Sequence, residues 1–160
     1  MVAILGITYF KYKGKVRMRA CAFFGSSDVT ADIVPKLEGV ISDLIKNYDV
    51  DVFYVGDRGG FDKAVKKALW TVSAKHPHIE YYVVLAYMPL GRAQDSLKEQ
   101  AKTLFPQALE YAPPRFAIDK RNRWMVEAAD VVVTYIGKGI TRALRYKKLA
   151  ECKGKKLVEL

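Results

Sequence analysis

Val55-Gly56-Asp57-Arg58-Gly59-Gly60-Phe61-Asp62 closes an apolar run, Asp51–Val55, and opens a helical one, Phe61–Lys75, with Ala64, Val65, Ala68, Leu69 and Val72 on one face. A second stretch, Phe24-Gly25-Ser26-Ser27-Asp28, does the same between the run Arg19–Phe24 and the helical pattern Ile33–Tyr48. In that pattern Ile33, Leu37, Val40, Ile41, Leu44 and Ile45 recur at helical spacing, and Thr30 or Asp32 is expected to cap its start. Strand, tight glycine turn and helix N-terminus together make an anion site. The first N–H groups of a helix have no intrahelical partner, and the positive end of its dipole points the same way. Two such turns in the first 62 residues predict a phosphate-bearing ligand lying across the end of a parallel sheet.

Downstream, Glu80–Met88 reads as a third strand, apolar almost throughout, as a parallel strand covered on both faces should be. Within Gly91–Ala117 the pattern admits a helix over Ala93–Leu104, after which Pro106, Pro113 and Pro114 break regular structure. A segment in this place is expected to fold over the ligand site. Asp119–Ala129 then reads as a helix capped by Asp119, and Asp130–Ile136 as a strand. Gly137-Lys138-Gly139 makes a third glycine turn, Thr141–Cys152 a basic helix, and Lys156–Glu159 a last strand. The alternation predicts an α/β fold, Rossmann-like, with three αβα layers and a mostly parallel sheet. In such sheets ligands bind beyond the carboxyl ends of the strands, where the winding reverses.

Residues 1–17 stand outside the alternation. They are expected either to form an extra edge strand or hairpin, burying Ile4, Leu5, Ile7, Tyr9 and Phe10, or to be poorly ordered with Met18 as the initiator. Residues 18–160 read as one domain, and a chain of 160 residues can bury a core without disulfide or metal. Met1–Phe10 is about half as long as a bilayer span. Lys11, Lys13, Lys15 and Arg17 follow that apolar stretch, the reverse of a secretory signal. A cytoplasmic protein without membrane contact is expected.

Cys21 and Cys152 lack metal-site spacing, and Cys21 reads as a buried small hydrophobe. His76 and His78 have no nearby cysteine or acid, so no metal and no separate cofactor is expected. No Ser-His-Asp or Cys-His arrangement can be assembled. The unusual bulk property is a net charge of +10. Lys138, Arg142, Arg145, Lys147, Lys148, Lys153, Lys155 and Lys156 crowd the last segment against Glu151, and Arg115, Lys120, Arg121 and Arg123 precede it. Such a field attracts nucleotides, nucleic acid or an acidic partner; the plainer alternative is a solvated basic helix face.

Four blocks give the chain a family resemblance. They are Cys21-Ala22-Phe23-Phe24-Gly25; Phe53-Tyr54-Val55-Gly56 with Gly60-Phe61-Asp62-Lys63-Ala64-Val65; Pro113-Pro114-Arg115-Phe116-Ala117-Ile118-Asp119-Lys120-Arg121-Asn122-Arg123-Trp124-Met125; and Ala129-Asp130-Val131-Val132-Val133-Thr134-Tyr135. Through them residues 19–160 resemble the SLOG superfamily, and within it the YpsA-like bacterial branch, DUF1273. The resemblance implies a Rossmann-like domain that binds a nucleotide or nucleotide-derived ligand, as a sensor or a processing enzyme in bacterial or phage stress and conflict systems. Two relatives imply different activities. LOG-type phosphoribohydrolases release the base from a nucleoside monophosphate, and Arg121-Asn122-Arg123-Trp124-Met125 is similar to their Arg-Lys-x-x-Met helix. Their catalytic glutamate, however, falls here on Ala143, leaving Asp62 and Asp119 as the acids to consider. The DNA-processing protein A family binds single-stranded DNA, and its two glycine turns resemble Gly25-Ser26-Ser27 and Gly60-Phe61-Asp62, with Ser27 in place of an arginine.

Ligand-binding roles follow. Gly25, Ser26 and Ser27 are expected to wrap a phosphate, the alternative being an ordinary strand-to-helix turn. Gly56, Arg58, Gly59 and Gly60 form a second wall, where glycine permits close backbone approach. Asp62 either touches ligand or caps its helix. Arg115 and Arg121 are candidates for phosphate contacts, or else surface ion-pair residues. Asn122 is placed to read a base or ribose, and Trp124 and Met125 read as core. Thr134, Gly137, Lys138 and Gly139 would close the far side, with Lys138 as a point charge. The expected partner is a nucleotide-derived small molecule. Base cleavage and single-stranded nucleic-acid binding stay open as alternatives, as does homo-oligomerisation.

Overall fold

The structure, a computed structural model, describes residues 18–88, 102–138 and 141–160. The expectations for residues 1–17, for 89–101 and for Gly139 lie outside these. Strand β1 spans Arg19–Gly25, helix α1 Ile33–Tyr48, β2 Val50–Val55, α2 Gly60–Lys75 and β3 Glu80–Val84. After the undescribed segment come β4, Lys102–Leu104, a single 3-10 turn at Gln107–Leu109, α3, Pro114–Ala128, and β5, Val131–Tyr135. Helix α4, Arg142–Cys152, and β6, Lys156–Glu159, complete the chain.

The six strands form one sheet in the order β4-β3-β2-β1-β5-β6, and every pairing is parallel. The chain steps from β1 outward to β4, then returns to the other side of β1 to place β5. The winding therefore reverses between β1 and β5, whose registers run from Cys21 opposite Val131 to Gly25 opposite Tyr135. That crevice is where an open parallel sheet receives a ligand.

Side chains alternate across the sheet with the two-residue period of a strand, and this divides the core in two. Cys21, Phe23, Phe53, Val131 and Val133 face α1 and α2, meeting Leu37, Ile41 and Leu44 from one helix and Val65, Leu69 and Val72 from the other. Ala22, Phe24 and Val132 face the opposite way, onto Met125 and Val126 of α3 and Ala143, Tyr146 and Ala150 of α4. The result is the three-layer αβα architecture that the alternation predicts. Among the described residues no helix is long and apolar enough to cross a membrane.

Apart from shifts of a residue at element ends, three boundaries and one cap differ from the sequence reading. The pattern over Ala93–Leu104 does not end as a helix, because Lys102–Leu104 pairs alongside β3 as an edge strand and Leu85 N–H donates to Leu104 O at 2.8 Å. Lys102 Nζ reaches Glu80 at 2.7 Å, so a charge pair holds this short strand in register. Helix α3 starts at Pro114, not Asp119. Proline is well suited to a first helical position, where its missing N–H costs nothing. Asp119 is thus interior and caps nothing. Asp32 sits at the N-cap position of α1 but its side chain makes no capping bond; it pairs with Lys36 at 2.9 Å and accepts from Thr30 Oγ1. Strand β3 stops at Val84, short of the expected Met88.

Candidate functional site

Three glycines at the carboxyl edge of the sheet are fixed by what packs against them. A Cβ on Gly25 would lie 2.2 Å from the ring of Phe61, which is buried and stacked on Tyr135 at 5.8 Å between centroids. The β1 turn is glycine because an aromatic side chain from α2 occupies the space. A Cβ on Gly60 would lie 2.3 Å from Ser27 O. One on Gly56 would meet Asp62 Oδ2 at 2.5 Å and Arg121 Nη1 at 3.1 Å. At Gly56 the missing side chain makes room for a carboxylate and a guanidinium.

Those two groups organise the site. Asp62 lies in the first turn of α2, and its Oδ2 accepts the Arg58 N–H at 3.1 Å. Burial pushes the carboxyl up to about 6; the Arg121 charge and the Arg58 N–H oppose the rise without cancelling it. Arg121, on α3, is 3% exposed. Its Nη1 donates to Asp57 Oδ1 at 2.9 Å and to Val84 O at 2.8 Å, so one side chain ties α3 to the ends of β2 and β3. Its Nε is buried and has no hydrogen-bond partner among the described residues. A buried donor without an acceptor costs on the order of 1–3 kcal/mol.

These groups line a cavity of about 160 Å³ together with Gly25, Gly56, Arg58, Ile118, Asn122, Arg142 and Tyr146. Arg142 is the first residue of α4, whose first turn carries no acidic residue to oppose an anion. Tyr146 forms the opposite wall, stacked on Phe24 at 5.2 Å, with its hydroxyl donating to Asp119 Oδ1 at 3.0 Å. Asp119 also receives Arg123 at 2.8 Å and Arg145 at 3.3 Å. Partial burial pushes its carboxyl up, but the bonds from Arg123 and Tyr146 and the two arginine charges outweigh this and hold it below the usual carboxylate range. Of the two acids considered from sequence, Asp62 lines the cavity and Asp119 does not.

Of the residues singled out from the sequence, Gly25, Gly56, Arg58, Asp62, Arg121 and Asn122 come together around this cavity. Ser26, Ser27, Gly59, Gly60, Arg115, Thr134, Gly137 and Lys138 are not part of its lining. The Ser26 N–H is spent on Tyr135 O at 3.0 Å, while its hydroxyl is buried without a partner among the described residues, against Gly137, where a Cβ would come within 2.7 Å. Thr134 is buried inside β5. Arg115 and Lys138 are exposed, and Arg115 lies over the ring of Phe116 at 4.6 Å. Met125 is fully buried and Trp124 packs edge-on against Tyr54, as read from their spacing.

Asp57, Arg142 and Tyr146 were not singled out for the site. Asp57 adjoins Gly56 in the stretch quoted first, and Arg142 opens the helix after the third glycine turn, so both carried a positional signal. Tyr146 carried none. Among the described residues, no group of three or more His, Cys, Asp and Glu side chains is placed to hold a metal ion. The arrangement offers three arginines, an amide, a hydroxyl and one carboxyl that burial raises to about 6, a set suited to an anionic ligand with further polar groups. No protein-family model matches the chain, and no curated protein matches it.

Proposed function

We propose that this chain is a SLOG-type domain whose β1/β5 crevice binds a nucleotide-derived ligand, acting as a binding or sensing module. The observation that carries the reading is the convergence of three arginines, Arg58, the buried Arg121 and Arg142, on one cavity at the carboxyl edge of the sheet. A phosphate there would gain the Arg121 and Arg142 charges and the N-terminus of α4. The half-open cavity, about 160 Å³, is smaller than the ~300–1,000 Å³ of a typical ligand pocket. The phosphate end therefore lies inside and the remainder extends through the mouth.

The test is a thermal-shift panel of inorganic phosphate, ribose 5-phosphate, nucleoside mono-, di- and triphosphates, NAD, ADP-ribose and a short single-stranded oligonucleotide, at two salt concentrations. A ligand that binds the native state alone raises the melting temperature by mass action. One small nucleotide is expected to give a salt-tolerant shift, weakened about tenfold in apparent affinity by Arg142→Ala, a substitution at an exposed position. A shift from the oligonucleotide alone, collapsing with salt, would assign function to the basic surface instead.

A second reading, hydrolysis of a nucleoside 5′-monophosphate, is favoured by Asp62. A protonated Asp62 would give its proton to the departing base nitrogen as the C1′–N bond breaks and its electron pair leaves with the base. Water then adds at C1′ and returns a proton to the carboxylate, giving free base and ribose 5-phosphate. Base release from the nucleotide that shifts the melting temperature, abolished in Asp62→Asn, selects this reading over binding alone.

A further inference from the structure

Beyond the end of β3 the chain presents Tyr87, which is 39% exposed. Two contacts fix that ring. Its hydroxyl donates to Pro114 O at 3.0 Å, and the Arg58 guanidinium lies 5.4 Å from its centroid. Both contacts lead back to the cavity. Arg58 lines it directly, while Pro114 begins a helix whose residues Ile118, Arg121, Asn122 and Met125 line it. Those positions follow Pro114 at i+4, i+7, i+8 and i+11, which is one face of α3. Tyr87 thus touches the first residue of the helix whose cavity face carries Arg121 two turns further on. The helix rise puts about 10 Å between Pro114 and Arg121, comparable to the reach of a single nucleotide.

We propose that Tyr87 and Arg58 form a stacking platform for the planar base of the ligand whose phosphate lies against Arg121. This rests on the nucleotide reading of the cleft and adds to it the class of group recognised at the mouth. With the phosphate end in this half-open cavity of about 160 Å³, the base lies along the rim that Arg58 shares with Tyr87. An aromatic face and a guanidinium plane attract a π-system and offer little to a bare sugar or phosphate. Neither contact reads the edge of a base, so the platform favours larger rings over smaller ones without selecting one nucleobase. The ligand class is a nucleoside 5′-phosphate, purine before pyrimidine.

The test compares dissociation constants of ribose 5-phosphate and of adenosine, guanosine, cytidine and uridine 5′-monophosphates for wild type, Tyr87→Ala and Tyr87→Phe. In wild type the purine nucleotides are expected to bind about tenfold more tightly than ribose 5-phosphate, the low end of base stacking on an aromatic ring. Tyr87→Ala should erase that advantage and leave ribose 5-phosphate affinity unchanged. Tyr87→Phe, which loses only the bond to Pro114 O, should keep most of it. Equal affinity for nucleotide and ribose 5-phosphate in wild type would overturn the platform while sparing the phosphate site. So would a loss in Tyr87→Ala that is the same for both ligands, since the tyrosine would then be acting only as a latch on α3. Absence of binding by every phosphate compound would overturn the cleft reading, and the platform with it.

Discussion

Asp62 carries a carboxyl whose acidity is set by burial, and its cost varies with pH. An unfolded aspartate titrates near ~4, whereas here burial raises the group to about 6. The native state therefore binds this proton more tightly than the unfolded state. Its contribution to stability is complete below about pH 4 and is lost as pH rises through about 6, a gap worth about 3 kcal/mol. Asp62→Asn removes the ionisation and keeps an acceptor for the Arg58 N–H. The variant is expected to gain about 2–3 kcal/mol over wild type at about pH 8, with the advantage vanishing below about pH 4, read from thermal unfolding across pH. A difference independent of pH would show that the charge carries no such cost. Sequence alone left Asp62 between capping and ligand contact. The decision needs Gly56, six residues before it, and Arg121, whose bond to Asp57 spans 64 residues. No local pattern reports a contact of that separation.

Helix α3 is the element that makes the site from parts of the sheet. Arg121 joins it to the ends of two strands, and with the side chain removed Asp57 would keep only Arg58, at 4.0 Å, and Val84 O would lose this donor. Breaking a buried pair costs on the order of 3–5 kcal/mol, and Asp57, whose side chain is 21% exposed, softens this. Arg121→Met is accordingly expected to lower stability by about 3 kcal/mol in urea unfolding, and Asp57→Asn to recover part of that loss in the double variant. A cost below about 0.5 kcal/mol would mean that packing, not the clamp, holds α3 in place. The element itself was half legible. Its pattern predicted a helix over Asp119–Ala129, but Pro113 and Pro114 read as a break when Pro114 is the first helical residue. Strand β4 was illegible for a related reason, since three residues carry no period and only the neighbouring strand makes them a strand.

At the scale of the molecule, alternating short apolar and longer amphipathic runs were enough to predict three layers and a parallel sheet. The strand order was not legible, because crossover lengths fix that strands are parallel without fixing the side on which the chain returns. That return makes β1 a central strand, flanked by β2 and β5 and covered on both faces. Its consequence shows in the two thiols. Cys21 in β1 is wholly enclosed, and burial pushes its thiol well above the usual range, outweighing a bond with the Val133 backbone, so it stays protonated and unreactive. Cys152, in the last turn of α4, is exposed. An alkylating reagent should thus modify one cysteine at once and the other at a rate that follows unfolding of the whole chain as urea increases, measured by mass. Rapid modification of both would show that the sheet opens locally. The chain carries its own pair of chemical timers, one started by solvent and the other by loss of the fold.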